Sequence, residues 1–408
     1  MHSKMRIGFV TPEFVTESTT YGFGGGLANY VYRVSKALVS LEQEVHVITF
    51  SETDESEFEQ DGIQVHRISS RKIWSRLNRL TRYRFLDTTH WLDFSFQAYL
   101  KLKKLNKQRS FDIVQFPDYT ACGIISSLFL RVPFVVRCSG YSPVWNDLTG
   151  VDRNLDVRTV EWLEWLQMRL SPHIYAPSYT LKQILAQRSK ITNVQVIRTP
   201  FYLETLNWDS SIYDEYLKNK KYLLFFGRFQ IHKGFHILAQ ALPKFLQAYP
   251  DSYAVCVGED MATKIAPSMK EYASSLCGKN ADRLIFIDRL RHAQLYPVIV
   301  GARLIVLPSL IDNLPNACLE AMGLGKPVIG TLGASFDELI TDGETGFLVP
   351  VGDLDALSAK IYEAWMHPNL DDIGQAAKFK LQEFAIERTV QELLNYYEAI
   401  LSNSSKTS

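Results

Sequence analysis

The sequence has no net charge to speak of: 44 Lys and Arg are matched by 44 Asp and Glu in 408 residues. That balance argues against a dedicated nucleic-acid binder, because nothing supplies a general attraction to a phosphate backbone. Cysteine is scarce as well. Cys122, Cys138, Cys256, Cys277 and Cys318 lie far apart, with no C-x-x-C and no histidine-paired spacing. They read as reduced, buried thiols of an intracellular protein, not as a disulfide framework or a zinc site. Long apolar runs are missing. The opening MHSKMRIGFVTPE meets Pro12 after only a few apolar residues, fewer than a signal peptide needs. The best internal stretch, Gly123–Val136, is cut by Arg131 and Pro133, whereas a spanning helix needs roughly 20 apolar residues. A soluble, cytoplasmic chain is expected, at most peripheral at the inner face of a membrane.

What is present is the composition of an ordinary globular protein, 46% hydrophobic and 22% charged. At roughly 100–200 residues per domain, two or three domains are expected. Short runs rich in β-branched and aromatic residues recur: Arg6–Thr11, Glu44–Phe50, Ile63–Ile68, Phe111–Phe116, Pro133–Ser139, His173–Ser178 and Val194–Pro200. A second set comprises Tyr222–Arg228, Tyr253–Gly258, Leu284–Arg289, Arg303–Ser309, Pro327–Thr331 and Gly346–Pro350. Most are continuously apolar, as strands covered on both faces of a parallel sheet must be. Amphipathic stretches such as Leu27–Leu41 and Phe235–Phe245 intervene, so the fold class is α/β. The rhythm pauses in the polar stretch between Pro200 and Lys221 and restarts at Tyr222. This predicts two doubly wound domains, 1–205 and 206–380. The amphipathic run Gln375–Leu401 and a tail expected to be disordered follow.

Three motifs carry chemistry. The run Gly22-Phe23-Gly24-Gly25-Gly26 precedes a helix pattern, and a glycine-rich turn at a helix start can bring amides to a phosphate. It lies about ten residues beyond the first strand, too far for a dinucleotide fingerprint; a merely flexible loop is the other reading. The segment Gly227-Arg228-Phe229-Gln230-Ile231-His232-Lys233-Gly234 follows a strand directly. Strand ends are where open α/β sheets bind ligands, and a guanidinium fork with an ammonium suits a diphosphate. In the segment Pro308 to Pro327, Asp312 stands in a loop, Asn313 is a plausible cap, Pro315 suits a first helical turn, and Glu320 falls inside the helix. Two carboxylates flanking a helix start can hold sugar hydroxyls while the helix end attracts phosphate.

At these residues the chain resembles glycosyltransferase family 4, retaining enzymes of the GT-B fold that use nucleotide-activated sugars. The glycine loop, the G-R-x4-K-G segment and the acidic-x7-Glu segment before A-M-x-x-G-x-P-V-I occur in the family's order. The resemblance implies two Rossmann-like domains facing a cleft, with residues 381–408 returning to the first. It implies that Arg228 and Lys233 bind the donor diphosphate, Glu320 the ribose, and Asp312 with Asn313 and Leu314 the transferred sugar. Arg289 and Leu290 would border the nucleobase, and Gly24 and Gly25 would close on the diphosphate. The acceptor is a hydroxyl of a glycan, a lipid-linked or a small molecule. UDP is the nucleotide the family favours, with GDP and ADP open. Two departures stand out. Asp312 occupies a place where many members have Glu, and Arg137-Cys138-Ser139-Gly140 lacks the family's histidine, so that Ser139, or Arg137, takes that neighbourhood.

No cofactor or metal is expected. Asp353-Leu354-Asp355 fits a D-x-D pattern, but its context reads as a helix start with acids facing the dipole. The segment 71–84 is strongly basic with an apolar stripe at Ile73, Leu77 and Leu80. It reads either as a helix lying on an anionic membrane surface or holding an acidic acceptor, or as a solvated helix whose stripe joins the core. Two rivals remain: a catalytically silent sugar-nucleotide-binding partner of another transferase, and a nucleotide-dependent dehydrogenase.

Overall fold

The computed structural model describes residues 4–15, 25–52, 54–69, 75–203 and 207–404. The chain forms two compact units, one made of Met1–Asp147, Val151–Pro200 and Ile386–Ser408, the other of Leu148–Gly150 and Phe201–Ala385.

The first unit is built on an eight-stranded sheet of β1 (Arg6–Thr11), β2 (Glu44–Ser51), β3 (Ser56–Gln60), β4 (Ile63–Ser69), β5 (Ile113–Pro117), β6 (Phe134–Arg137), β7 (Ile174–Ala176) and β8 (Gln195–Val196). Their order is β3-β4-β2-β1-β5-β6-β7-β8. All neighbours pair in parallel except β3, which pairs antiparallel with β4 and sets Phe58 opposite Val65. β3 has no counterpart among the expected strands. Its SEFEQ has one apolar residue, too little for a buried run but enough for an edge. At the other edge, the run Val194–Pro200 yields only the two residues of β8.

Helices bury the sheet. The helix Gly26–Ser40 turns Tyr30, Val31, Val34 and Leu38 inward at helical spacing. The expected C-terminal helix is interrupted: a helix ends at Lys380, a 3-10 turn follows, and a new helix begins at Ile386. Phe384 stays in the core of the second unit, while Val390, Leu393, Leu394, Tyr397 and Ile400 join the first. A polar network crosses that core. Tyr175 and Tyr397 both donate to Gln115 Oε1 at 2.7 Å, and the Tyr30 and Tyr175 hydroxyls meet at 2.5 Å. Buried hydroxyls require such partners, so the network fixes the register of the last helix.

The second unit holds β9 (Lys221–Phe226), β10 (Ser252–Val257), β11 (Leu284–Ile287), β12 (Leu304–Val306), β13 (Val328–Leu332) and β14 (Phe347–Pro350), wholly parallel in the order β11-β10-β9-β12-β13-β14. Counted from its own first strand, this is the 3-2-1-4-5-6 order of a dinucleotide-type sheet. The order reverses between β9 and β12. Ligands of such sheets bind outside the carboxyl ends of the strands at that reversal.

Candidate active site

Both loops at the reversal carry the residues singled out by sequence. After β9, Phe229 and Ile231 are buried and act as anchors. The Phe229 ring stacks on Phe235 with centroids 4.5 Å apart and also packs against Phe225 and Phe286. With those positions turned down, Arg228 is left more than half exposed and Lys233 a third exposed. Two glycines allow the loop its path. Gly258 has φ 152°, and a Cβ there would lie 1.9 Å from the Gly227 carbonyl oxygen. Gly234 has φ 68°, and its Cβ would lie 1.7 Å from the Pro308 carbonyl oxygen. Only glycine fits both constraints.

The loop after β12 thereby lies directly beside the first. The Leu310 amide donates to the His232 carbonyl at 2.8 Å, and Lys233 Nζ lies 2.5 Å from Asp312 Oδ2. Asp312 Oδ1 accepts the Asn313 amide at 3.0 Å, and its own carbonyl accepts the Ser335 hydroxyl at 3.0 Å. The carboxylate is therefore held from both sides. The helix that follows runs Asn316–Gly323 with Pro315 at the capping position, so Asn313 is not the cap. Leu314 is buried and Asn313 half-buried. Glu320 is not an exposed helix glutamate. It is 9% exposed, and its Oε1 lies 3.6 Å from His292 Nε2. His292 opens another helix, His292–Gly301, and stacks on Tyr296 at 5.5 Å. Arg289 and Leu290 follow the end of β11, the first exposed, the second packed partly onto the core.

The pairing of charges is informative. Arg228 Nε lies 3.5 Å from Glu259 Oε2 in an exposed pair that contributes little. Lys233 and Asp312 form the tighter, partly buried pair. His232 is held neutral: burial, then the Lys233 charge, pushes its pKa down to about 4. The sequence marks His232 and His292 as loop histidines near the site; the structure puts His292 instead at the first position of a helix.

In the first unit, Ser139 follows β6. Its hydroxyl accepts from the Arg137 guanidinium at 2.6 Å, and its amide donates to Asp118 Oδ1 at 2.8 Å. Asp118 directly follows β5 and also accepts the Tyr119 amide at 3.0 Å and the Gly140 amide at 3.3 Å. Burial nevertheless raises its pKa to about 6, against the pull of those amides and of Arg137. Arg137 itself is buried, lies 3.5 Å over the Tyr30 ring and donates to Thr199 at 3.0 Å. The next turn is strained, with Thr120 at φ 64° and Ala121 at φ 48°. Glu164 holds it by accepting the Thr120 amide at 2.8 Å, and Gln167 by accepting the Gly123 amide at 2.7 Å. Asp118 and Glu164 were not candidates by sequence, since FPDYT has no motif spacing. Gly25 caps the helix Gly26–Ser40 with the Glu13 carboxylate against it, an oxygen 2.6 Å from where a Cβ would be. Gly24 lies outside the described residues, as do 71–74 of the basic segment.

Among the described residues, no cluster of three or more His, Cys, Asp or Glu could hold a metal ion. Asp353 is a helix cap, accepting the Ala356 amide at 2.9 Å. No helix is long and apolar enough to cross a membrane, again among the described residues.

Residues 24–204 match the family model described as Glycosyltransferase Family 4, and residues 220–367 match that of Glycosyl transferases group 1. Together these cover most of a chain whose two parallel-sheet units have GT-B counterparts. Its fold is similar to that of sucrose-phosphate synthase from Thermosynechococcus elongatus, with a TM-score of 0.75 and 18% identity over 98% of this chain and 100% of that one. It is likewise similar to Anabaena HepE in complex with UDP and glucose, with a TM-score of 0.69 and 19% identity over 97% and 100%. The class is therefore a glycosyltransferase of the GT-B fold, which sets aside the dehydrogenase alternative. The chain belongs to glycosyltransferase family 4. In sequence it is similar to an uncharacterized glycosyltransferase of Methanocaldococcus jannaschii, 22% identical over 97% of this chain and 98% of that one. A shorter match, 28% identical over 38% of each chain, is to the phosphatidyl-myo-inositol mannosyltransferase of Mycolicibacterium smegmatis.

Two outcomes follow from this geometry. Gly234→Ala must move the Pro308 carbonyl and adopt a left-handed backbone, a strain of roughly 1–3 kcal/mol before any clash. Thermal unfolding should show that loss, and an unchanged melting temperature would contradict the close approach. Glu164 has its pKa raised from 4.5 to about 8, mainly by burial and then by the charge of Asp118. Its contribution to stability is complete below pH 4.5 and is lost as pH rises through about 8. Glu164→Gln, which cannot ionise, should therefore gain stability over the parent progressively across that window. Parallel pH profiles of the two proteins would show the carboxyl is not so held.

Proposed function

We propose that the chain transfers a glycosyl unit from a nucleotide-diphosphate sugar to an acceptor hydroxyl with retention at the anomeric carbon. The single observation that supports it is the Lys233–Asp312 pair at the sheet reversal, with Arg228 exposed on the same loop. A diphosphate offers Lys233 more negative charge than Asp312 does, and so takes over the ammonium. Asp312, released, accepts a hydroxyl of the transferred sugar, with the amides of Asn313 and Leu314 beside it. Glu320 takes the ribose hydroxyls, and Arg289 and Leu290 border the base.

As the glycosidic bond breaks, charge grows on the leaving diphosphate, and donors preset around that charge lower the barrier. Arg228 and Lys233 are those donors, and they supply the neutralisation that a divalent ion would otherwise bring. The departing phosphate oxygen takes the proton of the attacking hydroxyl, so no histidine is needed near Ser139. UDP is the proposed nucleotide; the structural relative solved with UDP and glucose supports that choice. The second reading, a silent sugar-nucleotide-binding partner, is favoured by Ser139 alone.

Release of free nucleotide from a panel of UDP-, GDP- and ADP-sugars, with and without added hydroxyl acceptors, separates the two. Acceptor-dependent release is expected from a UDP-sugar and should persist in a chelator, with the donor's anomeric configuration kept in the product. Arg228→Ala and Lys233→Ala should each lower the rate by about 10²–10³-fold, as removal of one such donor does. They should do so without altering the circular dichroism spectrum. Full activity in either variant would contradict the diphosphate assignment, and nucleotide binding without turnover would support the silent partner.

We further propose that the basic segment 71–84 attaches the protein to an anionic membrane surface. Its described part is a helix, Ser75–Leu80, and the turn after it; Leu80 at the helix end is 82% exposed, and Arg79, Arg82, Tyr83 and Arg84 are exposed with it. An apolar residue left in water among arginines suits a lipid interface. The chain should sediment with phosphatidylglycerol vesicles, far less with phosphatidylcholine, and be released by salt. Replacing Arg79, Arg82 and Arg84 by Glu should abolish the binding; equal binding to both lipids would contradict it.

A further inference from the structure

Glu320 is a carboxylate in an apolar place. It sits more than a turn inside the helix Asn316–Gly323, where Leu319, Ala321 and Met322 beside it are fully buried, and its own side chain is only 12% exposed. A buried carboxylate needs a partner. Among the described residues the His292 imidazole is the only side chain within ion-pair reach of it. The cations of the site do not serve, since Lys233 is paired with Asp312 and Arg228 with Glu259. The contact from His292 Nε2 to Glu320 Oε1 is 3.6 Å, longer than the roughly 3.2 Å at which a hydrogen bond ends. The imidazole therefore guards one side of the carboxylate without closing on it. The other oxygen, Oε2, has no protein partner among the described residues.

The imidazole is held from behind. His292 opens the helix His292–Gly301, and its ring stacks on that of Tyr296, one turn further on, with centroids 5.5 Å and planes 17° apart. Tyr296 is buried and is met edge-on by Trp208 at 6.3 Å. The start of the helix is tied down as well. The Asp209 amide donates to the Ala293 carbonyl at 2.9 Å, and Gln294 Nε2 donates to Asp209 Oδ2 at 3.1 Å. A stacked ring on a pinned helix has little freedom to turn away from Glu320. What the pair can recognise follows from its chemistry. A carboxylate only accepts, so a ligand must bring donors, and two oxygens in one plane suit two adjacent hydroxyls. A ligand lacking one of those hydroxyls leaves a buried oxygen unpaired, and sites built around a hydroxyl reject such analogues strongly.

We infer that His292 is a positioning residue for the donor's ribose: it orients the Glu320 carboxylate toward the vicinal hydroxyls and so makes the site select ribonucleotides over deoxyribonucleotides. The inference rests on the nucleotide-sugar reading of the site. It adds to that reading a residue from another helix, which acts through Glu320 and need not touch the nucleotide. The imidazole N–H carries the effect, and the stacking on Tyr296 only aims it.

Calorimetric titration of the full chain with UDP, 2′-deoxy-UDP and 3′-deoxy-UDP tests it. The parent protein should prefer UDP to at least one deoxy nucleotide by about tenfold or more, the scale of a hydrogen bond to a charged group. His292→Ala should weaken UDP by about tenfold while leaving that deoxy nucleotide within ~twofold, so that the preference collapses. His292→Phe, which keeps the ring on Tyr296 without the N–H, should behave like His292→Ala. His292→Gln, which keeps an N–H donor, should restore most of the preference. Glu320→Gln should abolish the preference, and adding His292→Ala to it should cost nothing further, since the two residues act as one unit. No preference in the parent, a preference that survives in His292→Ala or His292→Phe, or an equal loss of all three nucleotides would overturn the inference. Lys233→Ala keeps the two readings apart. UDP that fails to bind, or binds regardless of Lys233, would sink the donor assignment and this inference with it. UDP binding that needs Lys233 but shows a ribose preference indifferent to His292 would sink this inference alone.

Discussion

The carbonyl of Pro308 and the α-carbon of Gly234 touch where no side chain could stand between them. This contact joins the loop that leaves β9 to the loop that leaves β12 at the one place where the second sheet reverses its strand order. From it follow the His232–Leu310 backbone bond and the 2.5 Å approach of Lys233 to Asp312. The buried Phe229 and Ile231 beneath then decide which side chains face outward. The two cations are therefore placed by backbone packing and aromatic anchors, and their mutual position does not depend on a ligand being present. Such preorganisation is what electrostatic stabilisation of a leaving group demands.

The two units treat charge in opposite ways. In the second, exposed cations have carboxylate partners that a stronger anion can displace. In the first, a carboxylate is sunk beneath two strand ends and used as a peg: Asp118 collects the amides of Tyr119, Ser139 and Gly140. Burying that group raises its pKa, and burying Glu164 beside the strained Thr120–Ala121 turn raises another. Such costs persist in a fold when the geometry they hold is useful. Here that geometry is the Ser139–Gly140 shelf.

Much of the architecture was legible because both sheets are parallel and covered on both faces, so that their strands read as continuous apolar runs. The strand that escaped, β3, is the antiparallel edge, where a single Phe58 suffices. The last helix was expected as one run with the segment before it. The break falls at the 3-10 turn Leu381–Phe384, where the buried side chains pass from one core to the other. In the site, Arg228, Lys233, Asp312 and Glu320 were found by spacing, and the structure brings the first three onto adjoining loops. Asn313 was misjudged as the helix cap because Pro315, with its fixed φ, takes that place. Asp118 gave no signal, since it is positioned by fold contacts with residues distant in sequence.

The most direct test is a crystal structure of the chain soaked with UDP-glucose. The account predicts diphosphate oxygens within hydrogen-bond distance of Arg228 and Lys233, and the Asp312 carboxylate moved from the lysine to a hydroxyl of the glucose. A nucleotide bound elsewhere, or one bound while Lys233 and Asp312 remain paired, would contradict it.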